Sequence, residues 1–469
     1  MGNMPNVSVT GLDFVPPTNI VEKSYRKFVL SFETTLNKEI HKKIDSFSLG
    51  NISISFNQKT YKIRNNEAYF FAYDFLNSGA QTFKMCIRQL RDTNINEDQF
   101  YFMRMVLPIN RIWWLHDIHS YGIETEYEMY GTLFFPKFEK GEIHVYSIKD
   151  IHTGLEYMII EPQYEVTQKE MFEIQYSIAM GLGLITGIAK FDEAYIVASE
   201  KNDFSAIIGC SYSILRESIK SQYKIFTTNM YYLNDIVKSG KYNNYALPQI
   251  IDENKMPNNT LVNWLEERDY TPIFDNLYKY PEFARAVAIL IDGTDKALEY
   301  QAALYSVALE TICTKLDKIY GIKFGGIIDK AKWDRVRNKT QKTLDNSMKE
   351  EGIEDCYISR FNNSLSRMNN ISNAEKFKQT ISMTKLEISK IDEDAIFQRN
   401  LLLHGNLVKS TSKNKDVFID MFYCSLALYT LCCKIIFKFS GFNGFLVNCP
   451  VLLDCKPACD KEAPVLIKI

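Results

Sequence analysis

Residues 294–320 read TDKALEYQAALYSVALETICTKLDKIY. Leu298, Ala302, Tyr305, Leu309, Ile312, Leu316 and Ile319 recur at steps of four and three. On a helix that spacing draws one continuous apolar stripe. Thr294 is expected to cap the start and Gly321 to end it in left-handed geometry. A helix of this length needs partners for its stripe, and the following sequence supplies them. Helical patterns recur near 326–349, 356–370, 374–391, 392–404 and 416–439, and upstream near 261–268 and 281–290. The C-terminal part is therefore expected to be an all-α bundle.

Toward the N-terminus the period changes to two. Ile52-Ser53-Ile54-Ser55-Phe56 alternates strictly, as a half-buried strand does, and Tyr61-Lys62-Ile63-Arg64 repeats the pattern. Residues 133–135 and 143–146 flank Glu139-Lys140-Gly141-Glu142, a hairpin turn with glycine supplying positive φ. Further strands are expected at 28–33, 100–107, 157–161, 194–198 and 204–208, with helices at 169–184 and 213–237; Gly187 lies beyond the end of the first. The polar, turn-rich stretches 239–244 and 252–259 mark a boundary. The expected class is α+β multidomain: an antiparallel β-rich sandwich or barrel-like domain over 1–165, a mixed extension and linker over 166–258, and a helical domain over 259–469.

Composition bounds the function. The 469 residues are 46% hydrophobic and 24% charged, ordinary for a globular protein. Lys+Arg 55 against Asp+Glu 57 gives a formal charge of -2. A nucleic-acid partner would need a local basic patch. The start shows no secretory pattern, and the 10 cysteines are read as reduced thiols, which places the chain in the cytoplasm. Cys449, Cys455 and Cys459 fit no zinc spacing. The apolar run 421–433 is too short for a membrane span and reads as a buried helix. His116 and His119, beside Trp113 and Trp114, lack a third metal ligand, and no metal or cofactor is expected. Gly181-Leu182-Gly183-Leu184-Ile185-Thr186-Gly187 follows a helix and lacks a phosphate-loop lysine.

Chemistry concentrates at Phe397-Gln398-Arg399-Asn400-Leu401-Leu402-Leu403-His404-Gly405-Asn406. Asp392 is a plausible N-cap of this helix, and Gly405 a terminator. A histidine at a helix C-terminus meets unpaired carbonyls that favour imidazolium, while a nearby arginine opposes it. Asn400 and His404 share a face; Arg399 and His404 stand about 140° apart around the axis. Both can then border a cleft shared with another surface, as when two copies meet. RNA brings its own 2′-hydroxyl nucleophile, His404 can move the proton, and the Arg399 fork suits phosphoryl oxygens. Lys330, Lys332, Arg335, Arg337, Lys339 and Lys342 form a basic run that could track an RNA backbone, with Trp333 as a stacking residue, or could be a solvated face around a buried tryptophan.

Residues 397–407, together with 298–310, resemble the ApeA-like branch of the HEPN superfamily over roughly 294–440, most specifically in Arg399-Asn400 and His404-Gly405. The resemblance implies a dimerising helical bundle and metal-independent endoribonuclease cleavage of tRNA or other cellular RNA, in bacterial defence against phages. Arg399, Asn400 and His404 then match the catalytic positions, and Glu310 is the candidate supporting acid on the earlier helix. Asn406 stands where modification-silenced members carry tyrosine. The competing readings are a helical module that binds RNA or protein without cutting, and a β domain that senses a ligand or phage trigger.

Overall fold

A computed structural model of the chain describes residues 4–11, 19–24, 26–34, 52–64, 67–75, 81–109, 123–124, 128–129, 134–149, 154–223, 225, 267–403, 417–453, 463 and 466–469. It divides into two compact units, Met1–Asp295 with Ser440–Val447, and Lys296–Phe439 with Asn448–Ile469.

The first unit carries strands β1 (Met4–Thr10), β2 (Asn19–Ser24), β3 (Lys27–Thr34), β4 (Ile52–Phe56), β5 (Lys59–Ile63), β6 (Ala68–Phe75), β7 (Gln81–Ile87), β8 (Gln89–Asp92) and β9 (Phe102–Ile109). It continues with β10 (Ile123–Glu124), β11 (Glu128–Met129), β12 (Lys137–Phe138), β13 (Gly141–Lys149), β14 (Glu156–Pro162), β15 (Ile188–Ala189), β16 (Glu193–Ser199), β17 (Ile207–Ile214) and β18 (Ile219–Lys220). Fourteen of them form one sheet, in the order β12-β13-β14-β9-β16-β17-β8-β5-β4-β1-β2-β3-β7-β6, with antiparallel neighbours throughout. The alternation of sequence becomes an alternation of burial. Along β9, Met103, Met105, Leu107 and Ile109 are buried and their neighbours partly exposed. Phe28, Leu30, Ile54, Phe83, Met85 and Tyr212 belong to one apolar core. The expected hairpin is present, with Gly141 at φ 154 after the turn.

Helix α1 (Gln168–Thr186) follows its sequence signals closely. Thr167 accepts a hydrogen bond from the Glu170 N–H, and Gly187 closes the helix in left-handed geometry at φ 80. It packs against β9 and is covered by α2 (Glu267–Lys279) and α3 (Pro281–Gly293). The glycines in the 181–187 stretch serve that packing. A Cβ on Gly181 would stand 2.5 Å from the Phe274 ring, and one on Gly183 2.4 Å from Ile291 Cδ1.

Several sequence expectations are corrected here. Residues 213–237 were expected to be helical, yet β17 runs through Ile214 and β18 follows at Ile219–Lys220; residues beyond 225 lie outside the described set until 267. Pairing of Tyr212 and Ser213 with β8 and β16 decides this, and local periodicity cannot see such partners. The strand expected at 204–208 starts at Ile207. Thr294 is buried at the end of α3, where its hydroxyl donates to Ile291 O and accepts from the Gln222 N–H, so it caps no following helix. The stretches 239–244 and 252–259 lie outside the described residues, and α2 and α3, assigned by sequence to the helical domain, make their packing contacts on α1.

The second unit contains α4 (Leu298–Tyr320), α5 (Lys330–Glu350), α6 (Asp355–Arg367), α7 (Asn373–Met383), α8 (Lys390–Leu403) and α9 (Val417–Phe439). The α4 stripe is buried at Ala302, Tyr305, Leu309, Ile312 and Leu316, and Gly321 ends the helix at φ 62. The helix expected over 374–391 stops at Met383, followed by Lys385 at φ 61. At 23 residues, with an 18-residue window of mean hydropathy 1.5, α9 is long and apolar enough to cross a membrane, contrary to the shorter run read from sequence, but 89% of that window is buried inside the protein. It is a core helix.

Replacing glycine by alanine inside a helix normally helps by up to about 1 kcal/mol. Gly181→Ala should reverse that sign and cost about 1–3 kcal/mol, because the added carbon meets the Phe274 ring. Urea unfolding of the full chain measures it, and a raised midpoint would contradict the packing.

Candidate active site around Arg399

Helix α8 begins with a reciprocal cap. The Ser389 hydroxyl accepts from the Asp392 N–H at 3.3 Å, and the Asp392 carboxylate accepts from the Ser389 N–H at 2.9 Å. Asp392 therefore sits inside the first turn, and Ser389 takes the capping place expected for it. The Asp392 Oδ2 also accepts from Lys434 Nζ of α9 at 2.5 Å, with both side chains only 2% exposed. Two turns on, Arg399 falls on the same buried face as Asp392, Ala395 and Ile396.

The Arg399 side chain is 2% exposed. Its Nη2 donates to Glu310 Oε2 of α4 at 2.5 Å, and its Nε to Ser306 O at 3.5 Å. The guanidinium lies 4.5 Å from the centre of the Phe377 ring of α7, a cation–π distance. Burial lowers the Arg399 pKa from its ordinary value, and the Glu310 carboxylate opposes that shift. The pair is lopsided. The cation is enclosed, while the Glu310 side chain is 56% exposed.

The two charges that sequence placed together are therefore in contact. In this arrangement the Arg399 guanidinium is enclosed and held by Glu310, whereas the phosphate-binding role expected of it needs an accessible fork. The cause is helical geometry, since a residue seven positions after buried Asp392 returns to the core face. The backbone of Asn400 belongs to α8; its side chain, and all of His404, lie outside the described residues. So do Trp113, Trp114, His116, His119, Cys455 and Cys459, while Cys449 is buried. Burial also raises the Cys313 and Cys432 thiols near Arg399. Among the described residues no three His, Cys, Asp or Glu side chains gather as a metal site. The Asp392–Lys434 pair had no sequence signal, because a charge's partner across the bundle is a tertiary fact.

The basic run sorts itself by helical face. Lys332, Arg335, Lys339 and Lys342 are exposed along one side of α5, at steps of three and four, and Lys330 is exposed at its start. Arg337 turns away and pairs with Asp334 at 3.4 Å, so it does not belong to the stripe. Trp333 is partly buried, with its Nε1 enclosed and without an acceptor among the described residues.

Comparison with protein-family models, with curated proteins and with solved structures finds no match.

The lopsided pair makes an asymmetric prediction. Glu310→Gln leaves an enclosed cation without its anion and should cost about 2 kcal/mol, below the full range for a buried pair because the carboxylate is half exposed. Arg399→Met keeps the volume and removes the charge, and should cost about 1 kcal/mol or less. Urea titrations of both variants decide; a larger loss for Arg399→Met would contradict charge compensation as the reason for the pair.

Proposed function

We propose that the helical unit is a metal-independent endoribonuclease of the HEPN type, acting as a homodimer in the cytoplasm on cellular RNA such as tRNA, in bacterial defence against phages. The strand-rich unit would sense a trigger or restrain the nuclease. The observation that carries this reading is the Arg399–Glu310 contact, which joins the two sequence segments on which the family resemblance rests.

The roles differ from those suggested by sequence. Arg399 is a positioning residue: it fixes Glu310 and, through it, the register of α8 on α4. Glu310 is the member of the pair that faces solvent, and in this reading it orients His404 as carboxylates orient catalytic imidazoles. His404 takes the proton of the RNA 2′-hydroxyl as its oxygen attacks phosphorus. The bond to the 5′-oxygen breaks, a proton passes to that leaving oxygen, and a 2′,3′-cyclic phosphate remains. Lys332, Arg335 and Lys339 hold the RNA backbone, with Lys330 beside them. A specific observation favours a second reading, a helical module that binds RNA or protein without cutting: Arg399 is 2% exposed and already committed to Glu310.

Incubation of the full chain with total RNA in EDTA separates the two. Cleavage should fall at least about a hundredfold in His404→Ala. Arg399→Lys, which keeps the charge but not the planar fork, should retain more activity than Arg399→Ala. RNA bound but uncut by the wild-type chain, with His404→Ala indistinguishable from it, would establish the second reading. A separate titration tests the α5 stripe. Changing Lys332, Arg335, Lys339 and Lys342 to Gln should reduce the slope of log affinity against log salt by about 3 for single-stranded RNA, and an unchanged slope would mark the stripe as a solvated face.

A further inference from the structure

Helices α5 and α6 of the second unit form an antiparallel arm. A short turn joins them, and Asp345 Oδ1 of α5 accepts from Asn362 Nδ2 of α6 at 2.8 Å. Met348 is the one buried residue of α5, and Ile358 the one buried residue of α6. Helices of 21 and 13 residues lying in a bundle would each bury a whole face. Away from their shared seam, both helices of the arm therefore stand in solvent.

On α6, Tyr357, Phe361 and Met368 are 49%, 53% and 65% exposed. They follow at steps of four and seven, so they share one side of the helix. Two aromatic rings and a methionine left together in water mark a contact surface. The charges around this strip are sorted along the arm. Glu350, Glu351, Glu354 and Asp355 gather where the arm turns, with Lys349 beside them. Arg360 and Arg367 lie further along α6, toward the base, and both are exposed. Among the described residues neither arginine has an ion-pair partner.

We propose that the α6 side of this arm joins two copies of the chain, arm against arm in opposite directions. The division of charge selects this occupant. A nucleic acid or an anionic membrane laid on the strip would be repelled by the acidic end. A second copy related by a two-fold axis runs antiparallel to the first and meets it with the same patch. Each acidic end then faces a basic end, and the two aromatic strips close on one another. The α5 stripe of Lys332, Arg335, Lys339 and Lys342 faces away from α6, by helical spacing from Asp345, and takes no part. The inference supplies a surface for the homodimer proposed above and rests on that pairing, not on the ribonuclease chemistry.

Sedimentation velocity of the full chain over a range of concentrations tests the assignment. One variant carries Glu350→Lys, Glu351→Lys and Glu354→Lys; a second carries Arg360→Glu and Arg367→Glu. Glu354 makes no side-chain capping bond, so the first variant loses no cap. Each alone repels its own copies and should self-associate at least about tenfold more weakly than the wild-type chain. Mixed in equal amounts the two should associate again, because each supplies the charge that the other has lost. Phe361→Ser should weaken association with no change of charge, and it decides alone if a charge variant lowers the unfolding temperature. Cleavage of total RNA by the wild-type chain is read separately, so the nuclease reading can fail or stand on its own. The proposal is overturned if the wild-type chain is monomeric at every concentration, if Phe361→Ser leaves association unchanged, or if folded charge variants do not associate when mixed. Weaker RNA binding by Phe361→Ser with unaltered association would give the strip to stacked bases, and overturns it as well.

Discussion

A guanidinium enclosed by helices must have an anion beside it, and this requirement organises the second unit. Arg399 meets it with Glu310, and Asp392 on the same face of α8 meets its own with Lys434. One helix is thus fastened to α4 by its buried cation and to α9 by its buried anion. Sliding α8 along either neighbour would break a pair and strand a charge in the interior, an expense of several kcal/mol that apolar packing alone does not impose. The two pairs act as register marks.

The same constraint alters the chemistry that can be assigned. Sequence presents Arg399 as a phosphate clamp, because arginine near histidine suits RNA cleavage. Packing makes it an internal counter-ion, and moves the solvent-facing charge to Glu310. The catalytic proposal then gives the proton transfer to His404 and asks Glu310, the exposed member of the pair, to orient it.

Much of the fold was legible where local physics decides. The stripe of α4, the Gly187 beyond the end of α1 and the alternation in β4 all depend on neighbours within a few residues, and each is found as read. Legibility failed where distant partners decide. Thr294 looked like a cap and instead bonds Gln222; residues 213–214 and 219–220 looked helical and instead lie in strands. Asp392 was read as a cap because aspartate is common there, but Ser389 precedes it and Lys434 claims its carboxylate. In the candidate site, Glu310 was named only as a supporting acid implied by the family resemblance, and its direct pairing with Arg399 was not read. The burial of Arg399 was not, since no local pattern tells an inward arginine from an outward one.

Chemical accessibility of that arginine is the most direct test. Native full-length protein treated with phenylglyoxal, then digested and mapped by mass spectrometry, reports each guanidinium separately. Arg399 should stay unmodified until the chain is unfolded, while exposed Arg335 reacts in the native state. Modification of Arg399 in folded protein at the rate of Arg335 would contradict the enclosed pair and return the guanidinium to the surface as a phosphate-binding group.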